Sequence, residues 1–440
     1  MPLTCIGLSH HTAPVEVREH HAFPASRMAE ALVALGDYEA VSEAVMLQTC
    51  GRLEIYAELA DYETGVAQVK SFLSNFRHGS SGYDLESYLY TRLGHQAVEH
   101  LFRVCTGLDS MLIGEAEILG QVKDAYVAAA QAKSLGHTLH RLFREAIAAG
   151  KRARSTTRIG TESVSIATAA VEAARRRLGT LDGKTILVIG AGKMGRAAVN
   201  RLGQEGAARV IVSNRTPARS RDLVENAGFG EIVEMPELSQ AMRAADVVVA
   251  STGASHFVLD QERVTAAMAE RPQRPLFIVD IAVPRDVDPA VAGIENVTLV
   301  DVDGLKSVVD ERLGIRREAI PEVEAIVAAH VEEFESWYRA RAMMPVIARL
   351  TQKAEAIRAK EVERLFARAP ELDERERTLV VGTTMTIVSK LLHSVILKIR
   401  SKASIDHAEA LSHARVLDEL FELNIAGDVA ALARAMPDGR

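Results

Sequence analysis

The sequence predicts a chain of three parts: an α+β domain first, a doubly wound α/β domain second and a set of helices last. The chain has 440 residues, which is more than one hydrophobic core usually organises. Short strand-like runs mix with helical stretches over the first 155 residues, and apolar strands then alternate with helices as far as Asp303. Beyond Asp303 only helical periodicity continues.

The composition is that of an ordinary globular protein. Hydrophobic residues make up 48% of the chain and charged residues 25%, so several cores can be buried. The net charge of −7 argues against non-specific nucleic-acid binding, and any contact with RNA must therefore be local. No apolar run approaches the roughly 20 residues of a membrane span, and the N-terminus lacks the basic start of a secretion signal. We expect a cytoplasmic protein without a membrane segment.

The first domain is expected over residues 1–155. Its strand-like runs and helical stretches follow one another in short order, as is typical of an α+β domain. The predicted strands are Leu3–Leu8, Ala44–Gln48 and Leu53–Leu59, and the helical stretches are Gln96–Val122 and Thr138–Ala153.

The second domain is expected over residues 156–303. A helix leads into apolar strands that are hydrophobic throughout, as strands buried on both faces of a parallel sheet are. The helix is predicted over Val164–Leu178, and the strands over Thr185–Ile189, Arg209–Val212, Asp246–Ala250 and Leu276–Asp280.

The third part is expected over residues 304–440. Apolar residues from Val323 to Tyr338 recur at three-and-four spacing, which predicts a long helix, and Pro321 should kink or restart it. The stretches Leu379–Ile399 and His407–Leu423 are also amphipathic. A long helix that joins a small bundle without polar sites of its own is suited to dimerisation, so we expect a homodimer.

A glycine-rich turn follows the first strand of the second domain and opens a helix. The first glycine allows a tight turn, the second lets a pyrophosphate approach the backbone, and the third lets the helix pack on the strand. This context predicts a Rossmann-type dinucleotide site, and a glycine-rich turn without a cofactor is the alternative. The turn consists of Gly190, Ala191, Gly192, Lys193, Met194 and Gly195.

The end of the next strand indicates which dinucleotide is bound. An NAD enzyme normally has an acidic residue there for the ribose 2′-hydroxyl, whereas this chain has Ser213, Asn214 and Arg215. A guanidinium matches a 2′-phosphate in geometry and charge. We therefore predict NADPH as the cofactor, the alternative being that Arg215 is an ordinary surface residue.

Cys50 lies between a strand-like run and the pair Gly51 and Arg52. A thiol at a strand end can be exposed, and a neighbouring cation such as Arg52 would stabilise its thiolate. Taken alone, this pattern leaves open whether Cys50 is a nucleophile. Cys5 and Cys105 lie among apolar neighbours and are predicted to be core residues. Three cysteines without a CxxC pair suit neither a disulfide framework nor a structural zinc site, and no metal is expected.

Several separate motifs resemble those of glutamyl-tRNA reductases and occur in the same order. The resemblance covers about three quarters of the chain, and it is specific because a nucleotide fingerprint alone is shared by many folds. The motifs are Gly7–Pro14 (GLSHHTAP), Thr49–Arg52 (TCGR), Gly107–Ser110 (GLDS), Gly114–Val122 (GEAEILGQV) and Asp280–Val287 (DIAVPRDV).

The resemblance implies a reaction and a set of site residues. Cys50 would attack the aminoacyl ester of glutamyl-tRNA, NADPH would reduce the thioester, and glutamate 1-semialdehyde would leave to feed tetrapyrrole synthesis. A contact with glutamate-1-semialdehyde aminomutase is left open. Arg52 and Glu115 supply the cation and the acid that a site for glutamate should offer. The substrate-recognition residues of the family correspond to Thr49, Gly51, Arg52, Ser110, Glu115, Ala116, Glu117 and Gln121.

The family's functional histidine corresponds to His100. It lies on the predicted helix from Gln96 to Leu108, away from the apolar stripe, and could orient the ester or assist proton transfer. A surface histidine is the alternative.

The turn at Cys50 departs from the family pattern. The motif usually reads TCNR, and Gly51 replaces the asparagine. Glycine and asparagine most readily adopt positive φ, so we predict that the turn needs such a backbone at residue 51. The HxPT pattern near the C-terminus is also altered, at His393–Ile396. Two rival functions stay open from the sequence: an NADPH reductase of a small carbonyl compound, and an inactive paralogue that binds tRNA or a partner.

Overall fold

The computed structural model describes residues 2–76, 84–160, 165–254, 256–305, 317–403 and 407–424. An antiparallel four-stranded sheet forms the centre of the N-terminal domain, in the order β2-β3-β1-β4. Its two middle strands, β3 and β1, are buried along their whole length, which explains why the sequence predicted them as apolar runs. The strands are β1 (Leu3–Ser9), β2 (Val41–Gln48), β3 (Arg52–Leu59) and β4 (Tyr90–Leu93).

Helices cover this first sheet. One of them, α3, begins where Asp61 accepts a hydrogen bond from the Thr64 amide. The helices are α1 (Val15–His21), α2 (Met28–Gly36), α3 (Tyr62–Asn75), α4 (His95–Thr106), α5 (Glu117–Gln131) and α6 (His137–Thr156).

The helical stretch predicted from Gln96 to Val122 is two helices rather than one. Gly107 ends α4 with φ +80°, and a loop runs from there to α5. Periodicity continues across the loop because Met111 and Leu112 are buried, although they contact the core of the second domain. The stretch with helical periodicity therefore contains a loop between two helices, and this loop carries site residues.

The second domain contains a parallel six-stranded sheet in the order β10-β9-β8-β5-β6-β7. The predicted strands Thr185–Ile189 and Leu276–Asp280 match β5 and β9 residue for residue, whereas two edge strands were not predicted. The Rossmann-type fold is confirmed. The strands are β5 (Thr185–Ile189), β6 (Arg209–Ser213), β7 (Glu231–Ile232), β8 (Val247–Ala250), β9 (Leu276–Asp280) and β10 (Val297–Val300).

Helices lie on both faces of the parallel sheet. Val164, where the first helix was predicted to start, lies outside the described residues, and the described helix begins at Ile166 with a capping box of Ser165 and Thr168. The helices are α7 (Ile166–Leu178), α8 (Lys193–Gln204), α9 (Pro217–Ala227), α10 (Leu238–Ala244) and α11 (Gln261–Ala269).

The described residues of the C-terminal part form helices joined by short turns, as predicted. Pro321 lies in the first turn of its first helix, and a second proline, Pro345, explains why the long spine is interrupted at Met343. The spine's first half packs against α4 and α6 and contributes Val323, Val327 and Phe334 to the N-terminal core. The helices are α12 (Ile320–Ala342), α13 (Met344–Arg368), α14 (Glu374–Ala403) and α15 (His407–Phe421).

Helix α14 exposes an apolar surface. Leu379, Ile387 and Leu391 are more than half exposed, at 71%, 52% and 67%. By length and composition alone the segment Glu374–Lys402 could cross a membrane, and none of the window that meets this test is buried, but one such helix is weak evidence of a span. Exposed apolar patches of this kind are typical of protein contacts, which agrees with the predicted dimerisation role.

We predict that a chain ending at Ala342 is monomeric and still folded. The truncation keeps α12, which completes the N-terminal core, and removes the exposed face of α14. Multi-angle light scattering reports the mass. As an independent test, Leu391→Glu in the full chain should also weaken self-association, because it places a charge on the exposed apolar face of α14. A truncated chain that still runs as a dimer would place the contact in another region.

Candidate active site

Cys50 lies in the short connection between β2 and β3. The connection is held by three backbone amides: Thr49 donates to the Arg52 carbonyl (2.9 Å), Gly51 to the Thr49 hydroxyl (3.1 Å) and His10 to the Gly51 carbonyl (2.8 Å). These bonds give the turn a defined shape with Cys50 at its tip.

The Cys50 side chain is half-buried and packs against the core of the second domain. That same cluster includes Ala191 and Met194 of the glycine-rich turn. Burial raises the pKa of the Cys50 thiol, and the carboxylate of Glu115 raises it further, while the guanidinium of Arg18 opposes both. The structure therefore places the nucleophile candidate of the first domain beside the nucleotide domain.

Arg52 does not act as the cation that the sequence predicted beside Cys50. Its guanidinium is buried and donates to the Glu54 carboxylate (2.6 Å), to the Asp109 carboxylate (3.0 Å) and to the Asp109 carbonyl. Cys50 lies in the connection before β3 begins, whereas Arg52 is the first residue of β3 and its side chain is held by these carboxylates, so closeness in sequence does not bring the guanidinium to the thiol. The prediction that Arg52 stabilises a Cys50 thiolate is wrong.

Glu54 is the buried acceptor at the centre of this network. Its carboxylate also accepts from the hydroxyls of Tyr56 (2.8 Å) and Tyr90 (2.5 Å) and contacts His100 Nε2 (2.9 Å). Burial alone would raise the pKa of Glu54, but Arg52 and His100 outweigh it and hold the pKa well below its usual range. Glu54 was not predicted as a site residue, although the charged residues at 52, 54 and 58 of β3 recur with the two-residue spacing of one strand face.

His100 is buried, with 4% of its surface exposed. The expectation that His100 lies away from the apolar stripe of its helix is therefore wrong, because its side chain is buried with that stripe. The alternative of a surface histidine is wrong for the same reason. Its second ring nitrogen, Nδ1, lies 3.9 Å from the Asp109 carboxylate. His100 therefore braces the two carboxylates that hold Arg52.

A cluster of possible metal ligands coincides with this network. The ligand atoms of Cys5, Glu54 and His100 lie within 4.8 Å of one another and are buried. Because the Glu54 oxygens already accept from Arg52, Tyr56, Tyr90 and His100, hydrogen bonding accounts for the cluster without an ion.

The loop from Gly107 to α5 brings the other predicted substrate residues close to the turn. The Ser110 hydroxyl is buried without a hydrogen-bond partner among the described residues, as a group awaiting a ligand would be. Burial and the neighbouring Glu117 raise the pKa of Glu115 to about 7. Ala116, Glu117 and Gln121 are half-buried at the start of α5.

Gly51 does not have the positive φ that the sequence predicted. It is absent from the described glycines with φ between +20° and +160°. A Cβ built on it would lie 3.5 Å from His10 Nδ1 and 3.9 Å from Thr49 Oγ1, which is ordinary contact. The backbone explanation for glycine at this position is wrong, because the hydrogen bonds of the turn close without left-handed geometry.

The glycine-rich turn fits a dinucleotide. Gly190 has φ +109°, and a Cβ on Gly195 would lie 1.9 Å from the Gly190 carbonyl oxygen, so both positions need glycine. Gly192 caps the N-terminus of α8, and a Cβ there would meet no atom within 4 Å. This open space in front of a helix N-terminus is where a pyrophosphate would approach the backbone.

The residues at and after the end of β6 differ in exposure and in hydrogen bonding. Arg215 is exposed, and Asn214 accepts a hydrogen bond from the Ala191 amide (3.3 Å), which ties it to the glycine-rich turn. The Ser213 hydroxyl is fully buried against the Met235 sulfur, so only its carbonyl supports the turn, through the Gly190 amide. Lys193 is exposed and lies 3.3 Å from Asp124 of the first domain.

Three family descriptions match successive parts of the chain. They are "Glutamyl-tRNAGlu reductase, N-terminal domain" over residues 6–157, "Shikimate / quinate 5-dehydrogenase" over 172–308 and "Glutamyl-tRNAGlu reductase, dimerisation domain" over 322–423. The last region includes α14 with its exposed apolar face.

Two relatives and one solved structure show the same similarity over nearly the whole chain. A glutamyl-tRNA reductase of Desulforudis audaxviator is 42% identical and covers 96% of this chain and 94% of its own. One from Bacillus subtilis is 39% identical and covers 92% and 88%. The structure of glutamyl-tRNA reductase from Methanopyrus kandleri is 34% identical, covers 96% and 99%, and superposes with a TM-score of 0.50.

We predict that Glu54→Gln lowers the free energy of unfolding by roughly 3 kcal/mol, because it leaves the buried Arg52 with one carboxylate. Since the folded pKa of Glu54 is depressed, its contribution is present above the unfolded pKa of about 4 and is lost as the pH falls. The variant should therefore show a flatter loss of stability in acid. Urea denaturation from pH 7 to pH 3, followed by circular dichroism, measures both effects.

The control for this variant is Glu99→Gln, which removes a partly exposed carboxylate from α4. It should change stability by less than roughly 0.5 kcal/mol. Equal destabilisation by the two substitutions would contradict the role given to Glu54.

We predict that Gly51→Ala and Gly51→Val both fold with a change in unfolding free energy below roughly 1 kcal/mol, since residue 51 has room for a side chain and no left-handed backbone. Gly107→Ala is the matched comparison. It has φ +80° and a Cβ would lie 2.9 Å from Gly114, so a loss of roughly 2 kcal/mol or more is expected. Thermal melts of the three variants decide, and a Gly51→Val chain as unstable as Gly107→Ala would refute this reading.

Proposed function

The chain belongs to the glutamyl-tRNA reductase family, which catalyses the first step of tetrapyrrole synthesis by the glutamate route, and we propose that its reaction proceeds through a thioester on Cys50. The single observation that carries this proposal is the position of Cys50. The thiol lies at the tip of a turn in the first domain and packs against the cluster that includes the glycine-rich turn of the second.

The proposed chemistry has two steps. In the first, the Cys50 sulfur bonds to the acyl carbon of glutamyl-tRNA, the ester bond breaks, and the tRNA ribose oxygen leaves with a proton. In the second, the thioester carbon accepts a hydride, the carbon–sulfur bond breaks and the sulfur takes up a proton, which releases glutamate 1-semialdehyde and restores the thiol. A nicotinamide nucleotide supplies that hydride when it is bound in the second domain.

The chain's own groups around Cys50 suit a glutamyl ester. We assign the α-ammonium to Glu115 and Glu117, whose carboxylates are near enough to raise the pKa of the thiol. The unpartnered Ser110 hydroxyl is a donor for the substrate. Thr49 and Gly51 shape the turn, Arg52 borders it, and Ala116 and Gln121 line the start of α5. His100 acts in this proposal by fixing Glu54 and Asp109 rather than by contact with the ester.

Packing around Cys50 also keeps water from the acyl group. The thioester is open to hydrolysis, so a reductase must shield it until reduction. The apolar side chains of Met111 and Leu112 belong to the cluster that Cys50 contacts, and both are buried. We propose that this cluster supplies the shield.

The cofactor is a nicotinamide nucleotide, and we propose NADPH. Arg215 is exposed where the ribose of the cofactor is expected, and no carboxylate occupies positions 213–216. Asn214, next to it, is already bound to the glycine-rich turn. A guanidinium in this place favours a 2′-phosphate over a 2′-hydroxyl.

The remaining parts of the proposal concern organisation. We assign residues 1–155 to the thioester, 156–303 to the cofactor and 304–440 to the spine and subunit contact. The dimerisation region supports a homodimer that acts on tRNA. A cytoplasmic location and transfer of the labile aldehyde to glutamate-1-semialdehyde aminomutase by direct contact belong to the same proposal.

We predict that Cys50→Ser reduces aldehyde formation from glutamyl-tRNA by roughly a thousandfold or more, because a hydroxyl without a general base is a poor nucleophile. Cys105→Ser is the matched control, since that thiol is buried in α4. It should keep near-normal turnover per folded molecule. Labelled enzyme, counted without the cofactor, measures thioester formation, and trapped semialdehyde measures reduction. Normal turnover of Cys50→Ser would refute the proposal.

We predict that Arg215→Ala lowers kcat/KM for NADPH by roughly 10- to 100-fold, the value of a charge-assisted contact of about 1.5–3 kcal/mol, and leaves kcat/KM for NADH nearly unchanged. Arg221→Ala is the control, because Arg221 is also exposed but lies within α9. Steady-state rates with both cofactors test the assignment. Equal use of NADPH and NADH by the unmutated enzyme would contradict it.

A further inference from the structure

Arg18 is a buried cation with contacts in both catalytic domains. It lies on α1, and 3% of its side chain is exposed. One of its terminal nitrogens donates to the backbone carbonyl of Cys50 (2.9 Å), and the other donates to the carboxylate of Asp303. One rigid guanidinium thus spans from the nucleophile turn to the end of the nucleotide domain.

Asp303 holds α1 at a second point. Its other carboxylate oxygen accepts from the amide of Val15, the first residue of α1, at 3.0 Å. The Val15 side chain is itself buried in the core of the nucleotide domain. The short helix is therefore fixed to the second domain by an apolar side chain, a backbone amide and an ion pair, while it belongs to the first domain by sequence.

We propose that Arg18 is a positioning residue for the reduction step, and that it holds the Cys50 turn in register with the nucleotide domain through Asp303. This inference rests on the proposed role of Cys50 as the acyl carrier. A planar guanidinium fixes the direction of both contacts, which a flexible ammonium cannot do. An acyl group that is displaced by about an ångström from its partner can lose roughly a hundredfold in rate.

The consequence is a competition between two fates of the thioester. Reduction adds a hydride to the acyl carbon and releases aldehyde and thiol, whereas water adds to the same carbon and releases glutamate and thiol. Misalignment of the Cys50 turn slows reduction, because reduction needs the nucleotide domain, but it does not slow hydrolysis. The ratio of aldehyde to free glutamate therefore reports the alignment, independently of how much enzyme is folded.

The nearby interdomain contact of Arg285 provides a matched comparison. Arg285 binds Glu19 (2.6 Å) and Glu16 (2.9 Å) of the same helix, and within the described part of the chain no hydrogen bond or ion pair joins it to the Cys50 turn. Arg285→Gln removes two ion pairs between the same two domains. It separates general domain docking from the specific contact at Cys50.

The experiment uses full-length enzyme, radiolabelled glutamyl-tRNA and NADPH, and measures aldehyde and glutamate in single turnovers. Arg18→Gln and Asp303→Asn should each lower the aldehyde-to-glutamate ratio by roughly tenfold or more, and the double variant should be no worse than either. Arg285→Gln should keep the ratio of the unmutated enzyme. An unchanged ratio in Arg18→Gln, or an equal fall in Arg285→Gln, would overturn the inference.

A second readout needs no cofactor. Arg18, Glu115 and Glu117 act electrostatically on the Cys50 thiol, and Arg18 also contacts the Cys50 carbonyl. The rate at which iodoacetamide alkylates Cys50 at a fixed pH of about 8, followed by mass spectrometry of its peptide, should fall in Arg18→Gln, because loss of a nearby cation lowers the thiolate fraction. Arg18→Lys should keep the alkylation rate and still lower the ratio, since it retains the charge without the double contact.

These outcomes separate the inference from the function on which it rests. If the unmutated enzyme forms no thioester on Cys50 with glutamyl-tRNA, the proposed function fails and the inference falls with it. If the thioester forms and the Arg18 variants show normal ratios, only the positioning role is refuted.

Discussion

The pairing of the Arg52 guanidinium with two carboxylates is the interaction on which the site depends. A lone guanidinium in the core would cost several kcal/mol, so Glu54 and Asp109 must stay within hydrogen-bond distance for the fold to persist. Arg52 and Glu54 lie on β3, while Asp109 lies in the loop after α4. One ion network therefore ties the Cys50 turn to the loop that carries Ser110 and Glu115.

That network also explains why the thiol is not activated by the arginine beside it in sequence. The charge of Arg52 is offset by Glu54 and Asp109, and the pKa of Cys50 is governed by burial, by the carboxylates of Glu115 and Glu117 and by Arg18. Burial and Glu115 raise the pKa of the thiol in the free enzyme. A protonated, half-buried thiol reacts slowly with electrophiles in solution, because the thiolate is the nucleophile. The reactivity of Cys50 therefore depends on how the bound substrate alters the charges around the thiol.

The sequence was most informative where structure is local or uniformly buried. The strands Thr185–Ile189 and Leu276–Asp280 were predicted to the residue because a parallel strand covered on both faces is apolar at every position. The glycine-rich turn was readable because each glycine has its own steric requirement. The Gln96–Val122 stretch misled because its loop buries Met111 and Leu112 in another domain's core. A periodic pattern cannot tell which core an apolar residue enters.

The site depended on partners that are distant in sequence, and there prediction failed. The sequence around Arg52 does not show that its guanidinium donates to the Asp109 carboxylate. The sequence around Cys50 does not show that Arg18 donates to the Cys50 carbonyl. The φ of Gly51 was inferred from residue type, whereas hydrogen bonds from His10 and to Thr49 shape the turn without a left-handed residue. Such features follow from the assembled fold rather than from local propensity.

The contact between the two catalytic domains combines one exposed ion pair with others that are mostly buried. Lys193 and Asp124 are largely exposed, and such a pair contributes little net stability in water, whereas the side chains of Arg285 and Glu19 are only 11% and 16% exposed. Among the described residues, Val15 and Met111 add apolar side chains to this contact. The thiol of Cys50 is half-buried against the second domain, so the distance between thiol and cofactor site depends on how the two domains are aligned. The buried pair of Arg18 with Asp303 has a fixed direction and therefore favours one alignment, which an exposed pair such as Lys193 with Asp124 would specify only weakly.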